Sequence, residues 1–132
     1  MSRLPRAQEY LKTGFTAEAA SAAKFRAAAA RAQAAGQPNL AKAWLELAGE
    51  KDALAIRQLE AAGLVRDGGE DLAAALAEER YENDSLYPRM VREVDAATAA
   101  VFESVAQKQR EHLARLESLL DALTRSSGDL AG

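Results

Sequence analysis

Four stretches of this chain repeat apolar residues at intervals of three and four, and this periodicity constrains the fold more than any other feature. Such spacings return to one face of an α-helix, whereas a half-buried strand requires strict alternation. About a quarter of the residues are alanine, the strongest helix former, and glycine and proline stand at the edges of the stretches. The sequence therefore predicts an all-α protein, with no competing strand pattern.

Glycine, proline and aspartate mark the helix boundaries. Gly36 and Pro38 should end the first helix and begin the second, and Gly63 is a C-terminal cap. Tyr87-Pro88 lies inside the third helix and predicts a kink there. The expected helices run from about Arg6 to Ala35, from Asn39 to Ala62, from a cap at Asp71 to a break at Asp95, and from there to about Leu123.

Length and composition limit the class of protein. The 132 residues suit one domain, expected over 1–132 with a core of about 7–123 and frayed ends. The absence of cysteine excludes disulfides, thiol catalysis and thiolate-bound metals, and it fits a reducing compartment. The net charge is −3 without a basic stripe, so nucleic acid is not an expected partner.

The chain also lacks the sequence features of a membrane or exported protein. No apolar run approaches the roughly 20 residues that a bilayer span requires. The first residues, Met1 to Arg6, lack the apolar stretch of a signal peptide. We therefore expect a cytoplasmic protein with no membrane partner.

Each apolar stripe is interrupted near its middle by polar residues that the helical spacing directs toward the core. Glu18 lies 18 residues before Gly36 and Lys51 lies 15 after it, a mismatch of less than one turn at about 1.5 Å per residue. Charge at core positions is costly unless it is neutralised. We expect all the interruptions to converge on one interior layer: Glu18, Lys51, Glu79 with Glu82, and Gln109 with His112.

The segments around these residues resemble the ferritin-like domain of rubrerythrins and erythrins. Phe15-Thr16-Ala17-Glu18 is similar to their first-helix motif. Glu79-Arg80-Tyr81-Glu82 followed by Leu86-Tyr87-Pro88 is similar to their third-helix motif, and it is the most specific match. Gln109-Arg110-Glu111-His112 stands where the family has Glu-x-x-His. The resemblance covers roughly 7–123 and implies a ferritin-like four-helix bundle.

The same resemblance assigns a metal site and shows where this chain departs from it. In the family, about six carboxylates and histidines hold two irons, and two glutamates bridge them. The second-helix Glu-x-x-His falls on Lys51 and Leu54, and Gln109 replaces the fourth-helix glutamate. A one-residue shift would instead turn Glu50 inward as an alternative ligand, and Tyr87 matches a tyrosine near the metals. The retained ligands would be Glu18, Glu79, Glu82 and His112.

The resemblance implies a peroxide- or iron-related oxidoreductase whose electron donor the sequence does not identify. Without both bridging carboxylates, we expect a remodelled site that holds one ion or binds weakly, with iron or another divalent transition metal as the cofactor. Three glutamates and Lys51 leave a charge of −2, which one divalent ion would cancel. Alternatively, Lys51 replaces the metal's charge in a metal-free structural or interaction bundle, or the lost metals leave a small-ligand cavity.

The connection between the second and third helices leaves two chain paths open. Ferritin-like bundles need a long crossover there, but the connector Leu64 to Glu70 reaches only about 25 Å, against about 36 Å for a 24-residue helix. One solution is an up-down-up-down monomer. The other is a homodimer in which helices one and two pair with helices three and four of a second chain. The resemblance favours the helix-swapped dimer, because some relatives with short connectors are exchanged in this way.

Overall fold

Long helices make up almost all of the chain that the structure describes. The computed structural model describes residues 5–132, and no strand occurs within that range. The elements are α1 (Pro5–Ala34), α2 (Pro38–Ala61), α3 (Gly68–Tyr81), a π-helical turn (Glu82–Leu86), α4 (Tyr87–Arg92) and α5 (Ala96–Thr124). The all-α prediction is confirmed for these residues. None of these helices is long and apolar enough to cross a membrane.

The chain divides into two compact units, Met1–Val65 and Arg66–Gly132. They are called the α1–α2 unit and the α3–α5 unit below. The single domain expected over 1–132 stays a prediction. The ends expected to be frayed are Met1 to Arg6 and Ser126 to Gly132. Residues 1–4 lie outside the described residues, α1 already includes Pro5 and Arg6, and no helix follows Thr124 in the described part of the chain.

Alanines form the contact between α1 and α2. Ala29, Ala32 and Ala41 pack together in one buried cluster, with Trp44 against it. Alanine side chains are small, so two helix backbones approach closely where they meet. We call the buried alanines of this unit the alanine seam, and each is exposed by 7% or less: Ala22, Ala29, Ala32, Ala41, Ala48, Ala55 and Ala62. The last four, in α2 and at its C-cap, recur every seven residues.

The turn between α1 and α2 follows the sequence prediction closely. Gly36 takes a positive φ of 75°, which an L side chain would resist, and Pro38 occupies the first turn of α2. The backbone N–H of Gln37 donates to the carbonyl of Ala32 at 2.9 Å and closes the end of α1. Both helices begin and end within one residue of the expected positions.

Caps close the connector between α2 and α3 at both ends. Gly63 has a φ of 71°, and the N–H of Leu64 donates to the carbonyl of Leu59 at 3.1 Å, as the glycine cap predicts. The expected N-cap at Asp71 is wrong, because α3 begins earlier, with Asp67 as its cap accepting from the N–H of Glu70 at 2.8 Å. The earlier start lets two carboxylates satisfy free N–H groups, since Asp71 accepts from the N–H of Arg66.

The third predicted helix is interrupted one turn before the proline. A π-helical turn at Glu82–Leu86 precedes α4, and the N–H of Tyr87 donates to the carbonyl of Glu82, five residues back. Pro88 has no N–H to donate to the preceding turn of helix, and the wider π-helical turn accommodates that missing hydrogen bond. The irregularity that the sequence predicts at Tyr87-Pro88 therefore takes the form of this turn. The amide of Asn83 donates to the carbonyl of Ala106 at 2.7 Å and fastens the turn to α5.

The α5 helix begins as the sequence predicts. Asp95 is its N-cap, and its carboxylate accepts from the N–H of Thr98 at 2.7 Å. The helix ends at Thr124, one residue after the expected end. The α3–α5 unit has larger side chains at its helix contacts than the alanines of the α1–α2 unit. These side chains are half-buried: Leu72, Leu76, Leu86, Met90, Phe102, Leu116, Leu119 and Leu123.

Candidate functional site

The α1–α2 unit pairs the two charged residues that interrupt its stripes. The ammonium of Lys51 donates to Oε2 of Glu18 at 2.8 Å, and the two side chains are exposed by only 30% and 25%. Lys51, and not Glu50, is the α2 side chain that reaches Glu18, while Glu50 is exposed. Leu54, one turn further on, is 44% exposed. The ligand-like position on α2 in this unit is therefore held by an ammonium group.

The α3–α5 unit pairs its interrupting residues in two adjacent contacts. The Gln109 amide donates from Nε2 to Oε1 of Glu82 at 2.7 Å. Nδ1 of His112 lies 3.3 Å from Oε1 of Glu79. Glu79 and Glu82 are three residues apart in the chain, and so are Gln109 and His112. The two contacts therefore lie next to each other where these segments meet. The convergence of Glu18 with these residues on a single layer stays a prediction.

Gln109 is the buried polar residue of the α3–α5 unit, with 7% of its surface exposed. Its amide nitrogen is satisfied by Glu82, but its Oε1 is buried without a hydrogen-bond partner among the described residues. A buried acceptor left unpaired is unfavourable by about 1–3 kcal/mol. This oxygen therefore marks a place where a donor is missing from the unit taken alone.

An open cleft of about 240 Å³ adjoins the Glu79–His112 pair. Arg115, Leu116 and Leu119 line the rest of it, and the His112 side chain is 52% exposed. The imidazole is therefore accessible from outside this unit. Tyr87 packs on Phe102 with their ring centroids 5.9 Å apart, and its expected place near a metal site stays a prediction.

A metal centre requires several carboxylate or imidazole ligands around one point. Among residues 5–132, no three His, Asp or Glu side chains are grouped closely enough to hold a metal ion. Within the α3–α5 unit, the Glu79–His112 pair supplies one carboxylate and one imidazole, and Glu82 is engaged by Gln109. Lys51 and Gln109 present N–H donors at the positions where the family resemblance requires bridging carboxylates. The residues do not fit a dinuclear iron centre.

Hydrogen bonds at helix N-termini account for the shifted carboxyl pKa values. The backbone N–H of Glu70 lowers the pKa of Asp67, and the hydrogen bond to Asp67 raises the pKa of Glu70. The backbone N–H of Thr98 lowers the pKa of Asp95. The two lowered pKa values belong to helix caps, because a carboxylate that accepts an N–H is favoured in its charged form, whereas the Glu70 side chain shares a hydrogen bond with the Asp67 carboxylate and is favoured in its neutral form. These groups hold helix ends and lie outside the candidate site.

The sequence patterns did not predict three features of the molecule. The seven-residue recurrence of Ala41, Ala48 and Ala55 could have indicated the alanine seam. Larger apolar residues define the hydrophobic stripes, however, so the small alanines are easily overlooked. The Asn83 contact with α5 has no such signal. The unpartnered oxygen of Gln109 depends on side-chain geometry that the sequence does not encode locally.

Charge is divided unequally between the two units. The range 1–65 contains nine Lys and Arg residues and six Asp and Glu residues, a net charge of +3. The range 66–132 contains eight basic and fourteen acidic residues, a net charge of −6. The modest net charge of the whole chain therefore conceals two oppositely charged halves.

No known family model matches this chain, and no curated protein matches it either. The resemblance to rubrerythrins and erythrins rests on the motif residues alone.

Proposed function

We propose that this chain is a ferritin-like helical protein whose rubrerythrin-type metal centre has been remodelled around Lys51, and that its role is assembly or interaction. The observation that carries the proposal is the contact of 2.8 Å between the Lys51 ammonium and Glu18. By the family resemblance, Glu18 is a metal-ligand glutamate and Lys51 replaces a bridging one. The ammonium supplies the positive charge that a metal ion would otherwise bring to Glu18.

The chemistry of the two altered positions supports this function. A bridging carboxylate offers an oxygen to each of two cations, whereas an ammonium has only N–H donors and carries positive charge itself. Gln109 turns its N–H group toward Glu82, so that carboxylate is already engaged. Both changes replace coordination of metal with hydrogen bonds among side chains. They weaken any inference of dinuclear peroxide or iron chemistry.

A second candidate function is a mononuclear metal site in the α3–α5 unit. The observation that favours it is the pairing of Glu79 with His112 at 3.3 Å beside an open cleft, with Glu82 one turn further along the helix. Carboxylate and imidazole ligands suit iron, manganese or zinc. An oxidoreductase role would rest on this site, with the electron donor still to be identified.

Metal analysis decides between the two functions. Protein purified without chelator should contain well under one equivalent of iron, manganese or zinc by mass spectrometry, and calorimetric titration should detect at most weak binding. Two irons per chain would contradict the remodelled site. One tightly held ion that is lost in His112→Leu but kept in the matched control Glu111→Gln would establish the mononuclear function, since exposed Glu111 pairs with Lys108 instead.

The family hypothesis has its own test. Changing Lys51→Glu and Gln109→Glu together would return carboxylates to both bridging positions. If the site descends from a rubrerythrin-type centre, the double variant should bind iron at least about tenfold more tightly than the wild type, because two charged ligands replace two N–H donors. Unchanged iron binding would count against that descent.

A cytoplasmic location is part of the same proposal and rests on the absence of cysteine from the sequence. Fractionation of cells that express a tagged chain would test it. Recovery in an exported fraction would contradict it.

A further inference from the structure

We propose that a cleft between α5 and the segment formed by the π-helical turn and α4 binds a short zwitterionic peptide of about three residues. Its free amino group would lie at Glu103 and its free carboxylate at Arg110. The cleft belongs to the α3–α5 unit and contains none of the residues proposed to hold a metal. The inference therefore goes beyond the proposed function and does not depend on it.

The cleft has the size and composition of a small-ligand site. Its volume is about 330 Å³, at the lower end of the range for such sites. Tyr87, Pro88 and Val91 line it and are half-buried, whereas Glu103 and Arg110 line it and are exposed. A partly apolar floor with charged groups at its rim buries the middle of a ligand and orients its ends.

This cleft lies on a different face of α5 from the Glu79–His112 pair. Glu103, Gln107 and Arg110 are spaced by four and three residues, so their side chains share one face of the helix. His112 follows Arg110 by two residues, more than half a helical turn, and contacts Glu79. The cleft is therefore a second site of this unit and not an extension of that pair.

The two charged residues at the rim are not neutralised by the rest of the unit. Neither Glu103 nor Arg110 forms an ion pair with another residue in the described part of the chain. They are seven residues apart, which is about 10.5 Å along the helix axis. A zwitterion carries one cation and one anion, so a single ligand of the right length neutralises both residues.

The separation of these charges indicates the length of the ligand. An extended chain spans at most about 3.3–3.6 Å per residue, so three residues reach about 10–11 Å. A free amino acid carries its amino and carboxylate groups on one carbon atom and cannot reach both ends of the cleft. A tripeptide can, and its middle side chain then meets Pro88 and Val91.

Three uncharged polar groups of the cleft suit the peptide backbone between those ends. Asn83 donates from Nδ2 to the carbonyl of Ala106 at 2.7 Å, which leaves its Oδ1 to accept a backbone N–H. Oε1 of Gln107 accepts from Arg110 at 2.6 Å, which leaves the amide N–H groups of Gln107 to donate to a carbonyl. The Tyr87 hydroxyl, without a hydrogen-bond partner among the described residues, can donate or accept. A peptide is the ligand class that offers N–H and C=O groups in alternation.

Peptide titrations of the full chain, followed by nuclear magnetic resonance, test the site. The probe is the tripeptide Ala-Val-Ala with both ends free. It should shift the backbone amide signals of Asn83, Tyr87, Gln107 and Arg110, with a dissociation constant on the order of 0.1–1 mM. Acetylation of its amino end or amidation of its carboxyl end should each weaken binding about threefold to tenfold, because one charged contact is lost. Free valine should bind at least about tenfold more weakly than the tripeptide, because it reaches only one end.

Variants of the two charged residues assign each end of the ligand. Glu103→Gln should weaken binding of the free tripeptide about threefold to tenfold and leave the affinity for the acetylated peptide unchanged, since that peptide has already lost this contact. Arg110→Gln should have the same relation to the amidated peptide. The matched control is Glu111→Gln, which removes an exposed charge from α5 outside the cleft and should not change the affinity.

Three outcomes would overturn the proposal. The absence of shifts in the cleft at about 10 mM tripeptide, tenfold above the weakest expected dissociation constant, would mean that the cleft binds no such ligand. Equal affinity for the free, acetylated and amidated peptides would mean that the charged ends are not recognised. An equal loss of affinity for all three peptides in Glu103→Gln would mean that the substitution alters the unit and removes no specific contact.

Discussion

The α1–α2 unit and the α3–α5 unit bury their contacts in opposite ways. The first uses the alanine seam, with regular helices and one half-buried ion pair between Glu18 and Lys51. The second has larger half-buried side chains, a π-helical turn and the contacts of Glu79 and Glu82 with α5. Small side chains bring backbones together and leave little space between them, whereas longer side chains leave room for polar groups.

The largest expected effect comes from enlarging a residue of the alanine seam. Ala48 is 1% exposed, and Ala48→Leu should lower the free energy of unfolding by about 1–3 kcal/mol, because a larger side chain forces the helices apart. Urea unfolding at fixed protein concentration would measure it. Exposed Ala53→Leu is the matched control and should change stability by less than about 0.5 kcal/mol. Equal effects at the two positions would mean that close alanine packing does not hold this unit together.

The same substitution in the α3–α5 unit should have a smaller effect on stability. Ala106 is 8% exposed on α5, where the surrounding side chains are longer. Ala106→Leu should be less destabilising than Ala48→Leu, since those side chains have more rotamers with which to adjust. A larger loss at Ala106 would reverse the contrast between the units.

Removing the charge of Lys51 should have the next largest effect. Lys51→Met leaves the half-buried Glu18 carboxylate unpaired and should lower the free energy of unfolding by about 1–2 kcal/mol, between the values for exposed and buried pairs. Adding Glu18→Gln should recover part of that loss, which a double-mutant cycle by chemical denaturation would measure. Arg26→Met is the control, because the Arg26–Asp52 pair is more exposed and should contribute little.

The N-cap of α5 gives a smaller effect that depends on pH. The folded pKa of Asp95 is lowered, so its carboxylate stabilises the helix above the ordinary value of 3.8, and this contribution is lost as pH falls through the folded pKa below 3.8. Asp95→Ala should therefore be less stable than the wild type at neutral pH, and the two should converge in acid. Asp95→Asn should keep most of the cap at both pH values. Thermal melts across that range would test this, and a gap between Asp95→Ala and the wild type that widens in acid would contradict it.

The smallest effect is expected from two glycines of the α1–α2 unit. A Cβ at Gly49 meets nothing within 4 Å, so Gly49→Ala should stabilise the protein by about 0.5–1 kcal/mol through helix propensity. A Cβ at Gly14 would clash with the Gln58 Oε1 atom, the end of a flexible side chain that can move away. Gly14→Ala should therefore gain less than Gly49→Ala. Thermal melts that rank the two variants the other way would contradict this account.

The sequence predicts helix ends well where one residue type has a single role. Gly36, Gly63 and Asp95 each stand where only a turn or a cap fits, and the structure places them there. Asp67 and Asp71 lie four residues apart beside the same connector, and local rules do not choose between two carboxylates that can each accept an N–H. The choice depends on hydrogen bonds of the whole connector.

Prediction of the candidate site succeeds along a helix and fails where side-chain geometry decides. Counting residues from Gly36 brings Glu18 and Lys51 to the same height, and they form an ion pair. The engagement of Glu82 by Gln109, which leaves one amide oxygen buried and unpaired, depends on rotamers that spacing does not specify. The π-helical turn likewise adjusts the rotation of the helix beyond Glu82 in a way that periodicity cannot anticipate.

The recurrence of Ala41, Ala48, Ala55 and Ala62 makes the α1–α2 hairpin modular in length. Seven residues span two turns and about 10.5 Å, after which the same face of the helix returns. Deleting seven residues from each helix on the turn side of Glu18 and Lys51 would shorten the hairpin by one such step and keep that pair in register. The distance from the turn to the ion pair can therefore change in steps of seven residues, or about 10.5 Å, while the same helix faces stay in contact.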